Sequence, residues 1–492
     1  MKNQAFNPYL PSYEYVPDGE PHVFGDRLYI FGSHDRFNGK KFCMNDYVCW
    51  SCPIDDPSDW RYEGVIYKKT QDPYNRDGKL AMYAPDVAQG KDGRFYLYYG
   101  LADDNKIAVA VCDTPAGKYE FLDLVHDKEG KAWGRRQQDF MPFDPGILVD
   151  EDGRVHLYAG QGPMFLTRAK KDYEKHLRDS AYHVELEDDM VTMKTEPKRL
   201  IPNITDSKGT GFEGHEMFEA NSIRKFNGKY YFIYSSSRSH ELCWAISDKP
   251  DEGFRYGGIL TSNGDIAGDR AFSMTNAKAD LSIMDYIGNN HGSVVKIKDD
   301  YYVFGHRHTN RHMFSRQGYA EKIEMKEDGS FLMAERTSCG LNGGPLRGVG
   351  TYEARIACNL QSKKGSLFSV HPFVQNRKHP AFTQDGEDRE DHSDQHIENM
   401  RDGAKAGFKY FDFNNYDPKK ITVMIRGKAK GFLRVYDAYQ NGNLLSSVPI
   451  DVHEKKNYQE CSATFSVDKG VKPLFFLYEG KGAIDFLSFD LK

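Results

Sequence analysis

Five times along the chain a polar turn opens into a strand crowded with Tyr, Phe, Ile, Leu and Val. The runs are Asp26-Arg27-Leu28-Tyr29-Ile30-Phe31, Gly93-Arg94-Phe95-Tyr96-Leu97-Tyr98 and Gly153-Arg154-Val155-His156-Leu157-Tyr158, then Gly228-Lys229-Tyr230-Tyr231-Phe232-Ile233-Tyr234 and Asp299-Asp300-Tyr301-Tyr302-Val303-Phe304. Successive copies start 67, 60, 75 and 71 residues apart. Most of the turns follow a short apolar run: His22-Val23-Phe24, Ile147-Leu148-Val149, Ser222-Ile223, Val294-Val295. β-Branched and aromatic residues on both sides of a polar turn predict a hairpin. About 40 residues rich in Asp, Gly and Pro separate the hairpins, room for two further strands in each unit.

Five small antiparallel sheets would leave apolar faces exposed singly, and radial stacking buries them against one another. The spacing therefore predicts an all-β chain with a five-bladed β-propeller over residues 1–340. A β-sandwich of similar length does not call for five copies of one hairpin. Helical periodicity is confined to Arg168–Leu177 and the neighbourhood of Met284-Asp285.

Composition narrows the class of partner. The 66 basic and 72 acidic residues leave a net charge of −6, which excludes the positive face that a nucleic-acid binder or a polybasic membrane protein needs. No apolar run approaches the roughly 18 residues of a membrane span. Met1–Leu10 lacks an apolar signal core and turns at Asn7-Pro8, so a cytoplasmic location is expected. Aromatic residues make up 13% of the chain, enough to line a cleft as well as fill a core. Cys49 and Cys52 form one CxxC with no second pair at zinc spacing, and they read as half-buried thiols on a strand.

The first strand of each blade runs beside a propeller's axis, so equivalent positions converge. Counting back 8, 7, 9, 9 and 8 residues from the five turns gives Asp18, Asp86, Asp144, Glu219 and His291. Singly, each acid reads as a turn cap. Five in register do not, because clustered carboxylates repel and packing alone gives no reason to gather them. Crowded carboxyls in an aromatic cleft suit glycoside hydrolysis, in which one acid protonates the departing oxygen and an opposed carboxylate activates water or attacks carbon. Ser33-His34-Asp35 and His306-Arg307-His308 follow the repeated strand, which makes Asp35 and Arg307 candidates for holding sugar hydroxyls. His34 reads as packing.

The ordered set resembles glycoside hydrolase family 43 over about residues 5–340. Asn7-Pro8-Tyr9-Leu10-Pro11 with Asp18 is similar to that family's opening, which implies a general base at Asp18. Asp-Gly-Glu-Pro stands where the family has Asp-Pro, leaving Glu20 as the alternative; the spacing to His22-Val23-Phe24 favours Asp18. Tyr83-Ala84-Pro85-Asp86 resembles a Trp-Ala-Pro segment, with Tyr83 and Asp86 on the substrate side. Phe143-Asp144-Pro145 matches the Asp that tunes the acid, with Phe143 beside substrate. Glu219 matches the general acid, with Ala220-Asn221 in place of Gly-Pro. His291 matches an axial histidine. The resemblance implies no required cofactor and allows a calcium ion on the axis near His291, held through water. It also implies inversion, with base and acid roughly 6.5–9.5 Å apart. Asp18 is then expected ionised, and Glu219 protonated through Asp144's like charge and partial burial.

Gly340-Leu341-Asn342-Gly343-Gly344-Pro345 marks a break. Residues 346–492 alternate as separate strands at 409–413, 421–425, 433–436, 474–478 and 484–489, a β-sandwich pattern that resembles a family 6 carbohydrate-binding module. Its polar stretch Asp385–Asp394 reads as a solvated loop, with calcium binding as the alternative. The expected activity is release of terminal α-L-arabinofuranose or β-D-xylose from an oligosaccharide substrate. The competing readings are endo-acting arabinan, xylan or galactan cleavage, a non-catalytic sugar-binding propeller, and a retaining fructan-cleaving propeller. The last lacks its Asn-Asp-Pro-Asn opening.

Overall fold

The computed structural model describes residues 3–163, 177–238, 240–264, 266, 285, 288–366, 377–390 and 394–492. The expected helical turns before Leu177 and at Met284 lie outside these residues. Among those described, only single-turn 3₁₀ helices interrupt the strands, and no helix is long and apolar enough to cross a membrane.

Blade one is a meander of β1 (Glu20–Phe24), β2 (Arg27–Phe31), β3 (Tyr47–Pro53) and β4 (Arg61–Tyr67). Blade two holds β5 (Met82–Gln89), β6 (Phe95–Leu101), β7 (Asp104–Cys112) and β8 (Glu120–Leu124). Blade three holds β9 (Gly146–Val149), β10 (Val155–Gly160), β11 (Ala181–Leu186) and β12 (Lys198–Arg199). Blade four holds β13 (Met217–Phe226), β14 (Lys229–Ser236), β15 (Leu242–Ser247) and β16 (Arg255–Thr261). The described part of blade five is β17 (Val294–Ile297), β18 (Asp300–His308) and β19 (Arg316–Ile323). Each repeated aromatic run is the second strand of its blade.

That strand is apolar on both faces because each face belongs to a different neighbour. Successive side chains of a strand point oppositely. In β6, Leu97 and Tyr99 pack towards blade one with Phe31 and Tyr47, whereas Tyr96 and Tyr98 pack towards blade three with Leu157 and Val184. In β14, Phe232 and Tyr234 join Tyr158 of blade three, and Tyr231 and Ile233 join Val303 of blade five. Ile30 and Trp50 meet Val295 and Phe304 where blade five returns to blade one. A parallel bridge between Gly19 and Gly292 closes that last seam at the axis.

The remaining strands form the sandwich: β20 (Leu346–Arg347), β21 (Gly350–Glu353), β22 (Asn359–Gln361), β23 (Ala381–Gln384), β24 (Gln395–Arg401), β25 (Lys405–Asp412), β26 (Lys420–Tyr436), β27 (Leu444–Val452), β28 (Gln459–Thr464) and β29 (Val471–Leu491). They enclose one apolar core containing Phe408, Phe411, Ile425, Leu433, Phe476 and Phe486. Two expected pairs of strands are each one long strand. β26 carries both 421–425 and 433–436, and β29 both 474–478 and 484–489, the two pairing from Ile421–Leu491 to Tyr436–Phe475. Glycines let them bend without breaking. Gly482 sits at φ 84°, where an added Cβ would meet the Lys428 carbonyl oxygen at 1.9 Å.

Candidate active site

Asp18, Asp144 and Glu219 are brought to the same end of the axis by the starts of β1, β9 and β13. Two of them stand on left-handed backbone, Asp18 at φ 56° and Asp144 at φ 47°, and Ala220 beside Glu219 is at φ 67°. Asp tolerates this region better than most residues, but for Ala it costs about 1–2 kcal/mol. Pairing of β13 with β14 slips between Met217 and Glu219 and again before Ser222. Such bulges bend the strand locally and re-aim a side chain.

The sequence has Ala220-Asn221 where the resembled family has Gly-Pro, and the geometry gives this pair its own use. Ala220 N donates to Asp144 Oδ2 at 3.0 Å. Asn221 Nδ2 reaches the carbonyls of Phe143 and Asp144, each at 3.0 Å, and of Gly160 at 2.9 Å. The Asp144 loop is thereby tied to the strand that carries Glu219.

The three carboxyls have unlike surroundings. Arg316 Nη1 donates to Asp18 Oδ1 at 3.0 Å, while its Nε and Nη2 grip the two oxygens of Asp35 at 2.8 and 3.0 Å. Asp18 N donates to His306 Nδ1 at 3.3 Å. His306 Nε2 lies 2.8 Å from the Asn289 carbonyl, so that nitrogen carries the proton. Burial holds the ring neutral. Glu219 is only 15% exposed; Gln161 Nε2 donates to it at 3.2 Å and His240 Nδ1 stands 3.6 Å away. Burial, then the like charge of Asp144, push Glu219 up to about 8, and burial pulls His240 down to about 4. Burial also raises Asp144 against the pull of His291. His291 lies between Glu20 at 3.4 Å and Asp144 at 3.6 Å, and these carboxylates outweigh its burial, raising it well above the usual range.

Tyr83 and Phe143 are half-buried and meet edge to face at 5.7 Å beside Asp144, a placement suited to covering a sugar face. Three other expected substrate contacts face elsewhere. Asp86 is fully buried, with Oδ1 2.6 Å from His22 and Oδ2 accepting from Ile147 N at 2.9 Å. Asp35 is fully buried with both oxygens on Arg316. Arg307 donates to the carbonyls of Arg355 and Ala357 and lies 3.8 Å over Phe382, turned into the sandwich. Strand position alone did not tell which way these side chains point. Arg316, Gln161, His240 and Arg224 were missed; the first three stand outside the repeated hairpins, Arg224 follows Ser222-Ile223 within one, and Arg316 meets Asp18 across 298 positions of sequence.

The axis below is filled by charge. Arg224 Nη2 donates to Glu20 Oε2 at 2.6 Å and lies 3.5 Å from His22 Nε2, and Ser222 and Ser293 hydroxyls join at 2.7 Å. Glu20, His22 and Asp86 gather their ligand atoms within 4.8 Å of one another. Glu20 Oε1 and His291 Nε2, 3.4 Å apart, are buried without a hydrogen-bond partner, but direct calcium ligation does not fit the Glu20, His22 and Asp86 set: both oxygens of Asp86 are already engaged, His22 offers nitrogen, and Arg224 places a guanidinium on Glu20 Oε2. It also removes Glu20 as a rival base, because that carboxylate is buried on the axis. A second group, His215, Glu241 and Cys243, is linked by His215 Nδ1 to Glu241 at 2.9 Å. Cys49 and Cys52 are buried thiols in β3.

Residues 17–331 match the family described as Glycosyl hydrolases family 43. Over all 492 residues the chain is 47% identical to a xylosidase/arabinosidase of Thermoclostridium stercorarium, covering 99% of it. It is 30% identical to a xylosidase/arabinosidase of Bacteroides ovatus, over 51% of this chain and 80% of the relative. The fold also matches a solved arabinoxylan arabinofuranohydrolase from Bacillus subtilis at TM-score 0.50 and 18% identity, across 99% of this chain and 97% of the other.

Proposed function

The chain belongs to glycosyl hydrolases family 43, and from that premise we propose that it releases terminal α-L-arabinofuranose or β-D-xylose from oligosaccharides with inversion. The chain is a glycoside hydrolase. The name of its 47% identical relative, a xylosidase/arabinosidase, supports the choice of pentose.

In this reading Asp18 takes a proton from water as the water attacks the anomeric carbon. Glu219 delivers its own proton to the departing oxygen, so one proton is gained and one lost at the two carboxyls in each turnover. Asp144 keeps Glu219 protonated by its charge and holds its strand through Ala220 N. Arg316 fixes the direction of Asp18 through its Nη1 hydrogen bond. Neither proton transfer runs through a metal, and Arg224 Nη2 places a positive charge on Glu20 at the axis. The observation that carries the reading is the unequal pair, one carboxyl on a guanidinium and the other pushed up to about 8 at the same pole.

The test is hydrolysis of aryl α-L-arabinofuranoside and aryl β-D-xyloside, with the product anomer followed by NMR. Cleavage of at least one, with the product first appearing in the opposite anomeric form, is expected. A product of retained configuration, or no cleavage of either, would sink the reading.

A further inference from the structure

In the loop after β23, residues 385–390, Asp385, Gly386, Glu387 and Glu390 are exposed as expected, but Asp388 and Arg389 dock on the propeller at the root of Asp18. Arg389 Nη1 donates to Glu14 Oε1 and Oε2 at 2.6 and 2.8 Å and lies 3.0 Å from His34 Nε2. Glu14 is 1% exposed, and its other polar partners are Trp50 Nε1 at 2.7 Å and His34 at 3.0 Å. Burial disfavours its charge, and His34 and Arg389 outweigh that cost.

Both segments under Arg389 lead to the base. Glu14 stands four residues before Asp18, and Tyr15 in between accepts Asp35 N at 3.0 Å and donates its hydroxyl to Gln384 of β23 at 2.6 Å. His34 adjoins Asp35, the residue that holds Arg316 on Asp18. Asp388 ties the next stretch: its oxygens accept from Phe37 N at 2.6 Å and Asn45 Nδ2 at 3.1 Å, cross-linking the two ends of a loop. Within that loop Cys43 N donates to Asp35 at 2.9 Å, and the Phe42 ring lies 4.8 Å from the Arg316 guanidinium.

We propose that Asp388 and Arg389 are positioning residues for Asp18, so that the sandwich completes the hydrolytic site. This rests on the reading of Asp18 as base. A sandwich that only glued itself to the propeller would need no such convergence. The interface has another ion pair of the gluing kind, Lys409 Nζ to Glu335 at 2.8 Å, on chain segments that do not lead to the base.

The experiment uses the full chain with Arg389→Ala, Arg389→Lys, Asp388→Ala, Lys409→Met and Asp18→Asn, reading kcat, KM and the thermal midpoint on an aryl glycoside. Misplacing a catalytic group by about 1 Å costs up to ~100-fold, so Arg389→Ala and Asp388→Ala are expected to lower kcat about 10- to 100-fold with KM little changed. Arg389→Lys should recover part of the loss, and Lys409→Met should lower the midpoint without touching kcat. If Arg389→Ala does not fold, Asp388→Ala, which strips no partner from a buried charge, decides alone. Near-normal kcat in the variants that fold overturns the proposal. An active Asp18→Asn would instead overturn the base assignment and the proposal with it.

Discussion

The two ends of the hydrolytic pole are built in opposite ways. At one end Asp18 is held by a guanidinium that it shares with the buried Asp35. At the other, Glu219 has an amide, a neutral imidazole and the like charge of Asp144. Residue type is nearly constant across the site, so surroundings make the difference. One carboxyl is paired with a guanidinium, while burial and the like charge of Asp144 push the other towards the protonated form that a donor needs. Arg316 is committed to one end, because four of its five donors are spent on Asp18, Asp35 and the Cys43 sulfur at 3.4 Å.

The widest effect should come from removing either end. Asp18→Asn and Glu219→Gln are each expected to lower kcat by about 10³-fold or more, measured on an oligosaccharide. The two variants should then diverge: on an aryl glycoside whose phenolate leaves unaided, Glu219→Gln recovers much of its rate and Asp18→Asn does not. Equal losses on both substrates would erase the contrast between the ends. A smaller effect follows from Asp144→Asn. As the proposed acid Glu219 must be protonated, so activity is expected to fall as pH rises through about 8. Removing the like charge lowers that value, and the alkaline limb of the kcat profile should move to lower pH. The smallest effect is expected from chelation. Because Arg224 occupies the carboxylate that an axial cation would use, EDTA should leave kcat and the thermal midpoint unchanged; a loss restored by calcium would show that the axis needs more than Arg224.

How much of this was readable beforehand depends on how local the cause is. The five hairpins are local, since each turn, aromatic run and spacing sits within a few dozen residues, and the propeller follows from them. Asp18, Asp144 and Glu219 were legible through their common offset from those turns. The same offset also picked out Asp86, which occupies the equivalent place but points down the axis to His22. Position in a strand fixes depth along the axis, and bulges such as the one at Glu219 decide which way a side chain faces. Arg307 was misread for a different reason: a second domain covers it, and no pattern within blade five announces that cover. Arg316 could be found only from tertiary structure, because its two partners lie 298 and 281 positions away. In the sandwich the alternation was right and the strand count wrong, since glycines that usually end a strand here let β26 and β29 curve on.

Glu20, Arg224, Ser222 and Ser293 bind one another beneath the three carboxyls, so each buried polar group there depends on its neighbours. Taking away any one of them strands a partner away from water, which costs more than the contact itself contributes. Substitutions at this depth should therefore show first in the thermal midpoint and only then at the pole above.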